Sequence, residues 1–234
     1  EGKAVQLMRS WFVAMPGETP IIDGGVQIDT WTVGTRDGQT VWTADVGAMG
    51  HGDWFFRELF VDGERRERPR LPKTGLHRME SVPDMPLPAG WGAGGYRRFV
   101  AAPGDMAASH NLQDVEVVYV HFWIEERSTI EAFDPDSRTV TMSRRSRTSM
   151  VGSFGTQLAD FYLDNVYEAL ETPGQWYLDR KAGILTYLPL PGETPESTVV
   201  VAPRALQLLR LVGTPGRPIE HVRFRGITFQ HTDW

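Results

Sequence analysis

Apolar and polar positions along most of the chain either alternate with a period of two or fall into short apolar runs. The runs are bounded by Pro, Gly and Asp, and this is the pattern of β-strands rather than helices. HVRFRGITFQHTDW (221–234) shows it plainly. His221, Arg223 and Arg225 alternate with Val222 and Phe224, and Gly226 is followed by Ile227 and Phe229. WFVAMPGETPIIDGG (11–25) predicts a short apolar strand, a Pro-Gly turn, a second short strand at Ile21 and Ile22, then Asp-Gly-Gly.

The middle of the chain continues in the same manner. QTVWTADV (39–46) predicts a strand, and FFRELFVDGERR (55–66) predicts two joined by an Asp62-Gly63 turn, a dipeptide suited to tight hairpins. Residues 72–109 are rich in Pro, Gly, Met and Ala and predict a long irregular loop. VEVVYVHFWI (115–124) predicts a strand buried on both faces. STIEAFDPDSRTVTMSR (128–144) and QWYLDRKAGILTYLPLPG (175–192) predict hairpins. One stretch, DNVYEALETPG (164–174), predicts a helix: Asp164 or Asn165 could cap it, and Pro173-Gly174 would end it. TVVVAP (198–203), LQLLRLVG (206–213) and HVRFRGITF (221–229) predict three short strands joined by tight corners, the sides of a coiled parallel stack. The fold class expected is therefore all-β.

Composition narrows the functions. The 234 residues carry a net charge of −6, which argues against general nucleic-acid affinity. The basic clusters ERRERPR (64–70) and SRRSR (143–147) are short and are read as solvated loops or strand faces. With no cysteine there is no disulfide framework, thiolate nucleophile or Cys-bound zinc, although the compartment stays open. No apolar run reaches the ~20 residues that span a bilayer, so no membrane partner is expected. Eight Trp, six Tyr and eleven Phe supply aromatic surface to a core or to a sugar-binding face. The chain opens on Glu and shows no signal peptide, so it is expected to be a processed product or part of something longer.

Candidate chemistry is sparse. The histidines have no zinc-ligand spacing, and no cofactor is expected. WGAGGY (91–96) is read as a flexible loop, not a phosphate loop. Glu125 and Glu126, adjacent on a strand, point to opposite faces and suit a solvated strand end. Asp134, Asp136 and Asp179 fit turns. Asp233, between His231 and Trp234, stands out: an indole can stack on a pyranose while His and Asp bond its hydroxyls. The alternative is that His231 and Asp233 satisfy turn backbone groups while Trp234 packs on a neighbouring coil. Arg70 could reach an acidic sugar, but bracing through Glu or Asp is the favoured reading.

MPGETPIIDGG (15–25), FRELFVDGERRERPRLP (56–72), DNVYEALETPGQWYLDRKAGILTYLPLPGE (164–193) and HVRFRGITFQHTDW together resemble bacterial glycoside hydrolases of the fucosidase, xylanase and xylosidase types. These are built on a right-handed parallel β-helix interrupted by an inserted β-domain. The third stretch is the most specific, with Asn165, Glu168, Trp176, Tyr177, Asp179, Gly183 and Tyr187 in place. The resemblance implies a first helix coil over 1–25, an inserted β-sandwich or barrel-like domain with one short helix over 26–197, and a return coil over 198–234.

It also implies a secreted protein, extracellular or periplasmic, acting on polysaccharide side chains or xylan-type substrates. The catalytic carboxylate pair would lie beyond residue 234, leaving His231, Asp233 and Trp234 as substrate-binding residues. A non-catalytic carbohydrate-binding or assembly module, using Trp91, Tyr96 or Trp234, and a polysaccharide lyase are the alternatives. The expected partner is an oligosaccharide or polysaccharide, with self-association, or pairing to further β-helix, through an open C-terminal coil.

Overall fold

A computed structural model describes residues 10–50, 54–85, 89, 95–152 and 157–233. The fold is all-β, and the chain divides into two compact units. The first holds residues 1–29, 55–65 and 196–234, the second 30–54 and 66–195. Strands are numbered in chain order.

In the first unit the two ends of the chain run side by side. β1 (Ser10–Val13) pairs in parallel with β18 (Val222–Arg225), and β2 (Ile21–Asp23) in parallel with β19 (Thr228–Gln230). Alternation fits both pairs. Phe12 stacks on Phe224 at 5.0 Å between ring centroids, and the Arg223 guanidinium sits over Trp11 at 5.1 Å. Both corners use glycine at positive φ, Gly17 at 84° and Gly226 at 71°, where side chains are disfavoured. β3 (Gly25–Ile28), β17 (Val200–Pro203), β6 (Leu59–Val61) and β7 (Glu64–Arg66) follow in that order in a second sheet, with β17 antiparallel to β3 and β6. Asp62 and Gly63, both at positive φ, make the expected turn between β6 and β7.

Two expectations fail in this unit: the strand at 198–203, β17, is antiparallel to both its neighbours instead of forming a side of a parallel stack, and the strand expected at 206–213 is absent. Residues 206–213 form no strand; Leu206, Leu209, Leu211 and Val212 are exposed in irregular chain. Apolar runs without pairing partners do not become strands on propensity alone. Among the described residues, parallel pairing is confined to the β1–β18 and β2–β19 ladders and one bridge, Ala205 to Thr232.

The second unit is built on antiparallel sheets. β4 (Thr32–Arg36), β5 (Gln39–Asp45), β16 (Ile184–Tyr187) and β15 (Trp176–Asp179) form one, with Trp42, Trp176 and Tyr187 buried in it. The other has seven strands. β10 (Arg98–Val100), β13 (Thr139–Met142), β12 (Ile124–Asp134), β11 (Glu116–His121), β14 (Asp160–Asp164) and β8 (Arg70–Leu71) lie in that order, and β9 (His77–Arg78) also pairs with β14. Among the described residues each sheet is open, with no barrel closure. Phe99, Val117, Tyr119, Ile130, Val140 and Phe161 lie in its core, all under 2% exposed.

The predicted helix at 164–174 is absent. β14 runs through Asp164, and only a 3-10 turn forms, at Tyr167–Ala169. The residues expected to cap a helix are used elsewhere. Asp164 accepts from a buried arginine, and the Asn165 amide donates to the carbonyls of Asp114 and Leu178. Tertiary bonding overrides a weak local preference. Among the described residues one short α-helix, α1 (Val46–Gly50), occurs instead. The run at 115–124 also breaks, turning at Phe122 and Trp123 into β12.

Candidate functional site

The site lies within the first unit, where the end of β2, the residues after β19 and the β6–β7 turn frame an open cleft of about 620 Å³. Asp23, Gly25, Gln27, Asp62, Gln230 and His231 are among its lining residues. Asp23 ends β2, paired in register with Gln230 on β19. Its Oδ1 accepts the Gly25 N–H at 2.7 Å and its Oδ2 the Gln230 amide at 2.8 Å. His231 Nδ1 stands 3.0 Å from Oδ1 and 2.9 Å from Oδ2. A carboxylate only accepts, so Nδ1 carries the proton in this pair and Nε2 is the ring atom left for other chemistry. Burial pushes the Asp23 pKa up, but the hydrogen bonds from Gln230, Gly25 and His231 outweigh it and hold the carboxyl below its usual value.

The backbone makes this approach possible. A Cβ on Gly24 would meet the His231 carbonyl oxygen at 2.8 Å, and one on Gly25 would meet Val201 Cγ1 at 2.3 Å and His231 Cβ at 3.0 Å. The Gly-Gly pair is therefore the condition for His231 to pack beside Asp23. Phe60 on β6 supports the imidazole at 4.6 Å between centroids. On the cleft's other side Asp62 Oδ1 accepts the Val199 N–H at 2.8 Å.

Of the residues expected from the sequence, His231 lies in this cleft. Asp233 is buried at 7% exposure and is not among the lining residues. Its N–H donates to the Ala205 carbonyl beside the parallel bridge. Trp234 and Trp91 fall outside the described residues. Asp23 and Gln230 carry the site's geometry and escaped sequence reading, because Asp before Gly-Gly has the look of a plain turn. The signal available was the strand immediately before it.

Other expectations resolve differently. Arg70 braces through backbone, not acids: it donates to the carbonyls of Pro72 (3.1 Å) and Gly75 (2.6 Å) and lies 3.9 Å over the Tyr162 ring. Glu125 and Glu126 do face opposite ways, but only Glu125 is solvated. Glu126 accepts from Tyr119 Oη and the Arg147 N–H and lies 3.0 Å from His121 Nε2. Within ERRERPR, Arg68 is not on a solvated face. It is buried, with Nη2 2.6 Å from Glu116 and 2.5 Å from Asp164. Asp134 serves its turn, accepting from the Asp136 N–H and Ser137 Oγ.

An all-β chain carrying a polar cleft beside paired parallel strands matches a known architecture. A solved structure described as "Glycoside hydrolase" superposes with a TM-score of 0.71 at 25% identity, over 93% of this chain. The fold is thus shared with a glycoside hydrolase, of which this chain spans 37% of the length. No protein-family model matches the sequence. No curated protein matches it either.

Proposed function

We propose that this chain is part of a carbohydrate-active protein of the glycoside hydrolase type, with the Asp23–His231 cleft holding a sugar. The superposition over 93% of the chain carries the reading. The cleft chemistry supports it: carboxylates accept from sugar hydroxyls, while Gln27 and His231 Nε2 can exchange hydrogen bonds with them. His231 contacts the sugar directly, while the buried Asp233 fixes the chain after β19 through its N–H bond to the Ala205 carbonyl. The parallel pairs β1–β18 and β2–β19 support a first and a return coil of a right-handed β-helix, with the antiparallel unit as its insertion. Neutral polysaccharide side chains or xylan-type polymers are the substrate class.

Glycoside hydrolysis needs two carboxyl groups about 5–9.5 Å apart, one of them free to donate or to attack. Asp23 is held ionised by three donors and acts as a positioning group for His231. With its oxygens occupied by Gly25, Gln230 and His231, Asp23 is not free for either role, which favours a catalytic pair supplied from outside this chain, with the present residues binding. The same observation favours a second reading, in which the whole assembly is a non-catalytic binding module. Calorimetry with neutral oligosaccharides, alongside aryl-glycoside assays, tests both. Binding lost in His231→Ala is expected, without turnover by this chain alone. Turnover would overturn the external pair, and absence of binding to every sugar would overturn the carbohydrate reading.

A further inference from the structure

In the second unit, β11 and β12 are joined by only Phe122 and Trp123, since His121 and Ile124 are the last paired residues. A two-residue turn of this kind favours glycine where φ is positive. Phe122 occupies that place with φ 52°, at a steric cost. Trp123 beside it is 76% exposed, a larger fraction than any other exposed large apolar side chain described. A tip that keeps both a strained aromatic residue and a solvated indole is poorly explained by folding alone.

The tip is also rigidly underpinned. The Phe122 ring packs on the core of the seven-stranded sheet and meets Trp123 edge-on, 5.9 Å between centroids. His121 beneath is fully buried. Its Nδ1 lies 3.1 Å from Thr148 Oγ1 and 3.2 Å from the Ser149 carbonyl oxygen, and its Nε2 lies 3.0 Å from Glu126. An indole presented on such a base loses little further freedom on contact, which is what makes an exposed ring an effective anchor.

What surrounds the tip points to the partner. One row in from the turn, strand register places Glu125, Val120, Asp160 and Arg78 side by side across β12, β11, β14 and β9. Opposite residues of paired strands share a face, and all four are exposed or partly so. Arg78 Nε donates to Asp160 Oδ1 at 2.7 Å, and Arg127 Nε to Glu125 Oε1 at 3.0 Å. A protein interface of standard size would ask for roughly 800 Å² per partner around a desolvated apolar centre. Here one exposed aromatic ring ends a hairpin whose next row carries carboxylate and guanidinium groups, which suits a ligand with an apolar C–H face and a rim of hydroxyls.

We propose that the Trp123 hairpin tip and the Glu125–Val120–Asp160–Arg78 row form a saccharide-contact surface that takes a neutral pyranose chain. The indole stacks on the sugar ring, the carboxylates accept from its hydroxyls and Arg78 donates to them. This site belongs to the second unit and is separate from the residues of the Asp23–His231 cleft. It rests on the carbohydrate reading above.

Affinity electrophoresis of the whole chain in gels holding soluble xylan, xyloglucan or galactomannan tests it. Trp123→Ala should weaken retardation by at least one of them roughly tenfold, the scale of one stacked ring, and Trp123→Phe should recover most of it. The exposed position lets the alanine variant keep its denaturation midpoint. Retardation unchanged in Trp123→Ala would overturn the proposal while leaving the cleft reading intact. Cleft binding by calorimetry with no wild-type retardation would do the same. Concentration-dependent dimerisation that Trp123→Ala abolishes, without polysaccharide retardation, would assign the tip to a second copy of the chain and overturn the proposal.

Discussion

Replacing Arg68 by Met should destabilise the second unit by about 3–5 kcal/mol, the usual loss when one member of a buried ionic cluster is removed. Arg68 has a side-chain exposure of 5% and lies between Glu116 (2%) and Asp164 (11%). Arg127 also contacts Asp164 Oδ2, at 2.8 Å, but is shared with the more exposed Glu125, so Arg68 is the most buried cation of the cluster. Charges about 4 Å apart at an effective dielectric near 20 attract by roughly 4 kcal/mol per pair. The desolvation of Arg68 itself offsets part of its two contacts. In the Met variant that offset disappears, but the two carboxylates remain buried and lose the buried cation between them. For a chain of this size each kcal/mol moves the melting temperature by about 2–4 °C, so a drop of roughly 6–20 °C is expected. Urea titrations followed by fluorescence would give the free energy. Combining Arg68→Met with Glu116→Gln should recover part of the loss, since it removes one of the buried carboxylates left without Arg68. A cost below 1 kcal/mol for the single variant, or no recovery in the double, would refute the reasoning.

Asp23→Asn should leave the first unit folded but release His231 from the Nδ1–H tautomer, visible in the imidazole nitrogen shifts by NMR, with weaker sugar binding in the cleft. Gly25→Ala should destabilise the first unit by about 1–3 kcal/mol in denaturant titration, because its methyl would press on Val201 Cγ1 at 2.3 Å. The Asp114 carboxyl is raised by burial, an effect that the Arg180 N–H and guanidinium only partly cancel. The folded state therefore holds this proton more tightly than the unfolded chain. Stability from Asp114 is fully present below its ordinary value of 3.8 and is lost as pH rises through the elevated folded value. Asp114→Asn should accordingly gain on the wild type between pH 3 and pH 7 in urea midpoints measured at both.

Strand positions were readable at many of the places where a short alternating run met turn residues. SWFV, IID, LFV-Asp-Gly and VRFR-Gly all became strands and corners at those places. Their partners were not readable. Alternation marks which side of a strand is buried but not which strand lies beside it, or in which direction, and Trp11 finds Arg223 from the far end of the chain. The helix misreading at 164–174 has the same origin, for Asp164 and Asn165 have the side chains of helix caps and spend them on distant groups. Arg68 could not be told from Arg65 by sequence, yet Arg68 is buried while the Arg65 side chain is 69% exposed. His231 was legible as a polar residue after a strand. Asp23, which orients it, took its meaning only from a contact spanning 207 residues in its neighbour Gln230.

That span sets an order of events during folding. Closing a flexible loop of about 200 residues for one strand pair costs roughly 5 kcal/mol of chain entropy, too much for two short parallel ladders to nucleate. Once the intervening unit is folded and β3 has found β17, through Ile28 and Val200, the remaining loops are only tens of residues long. β1 and β2 should therefore be among the last strands to zip, although they are synthesised well before the strands they pair with. At about 5–20 residues per second, the Trp11, Phe12 and Ile21 side chains wait on the order of ten seconds or more for their partners. β1 and β2 are thus strands that need shielding until β18 and β19 have been made.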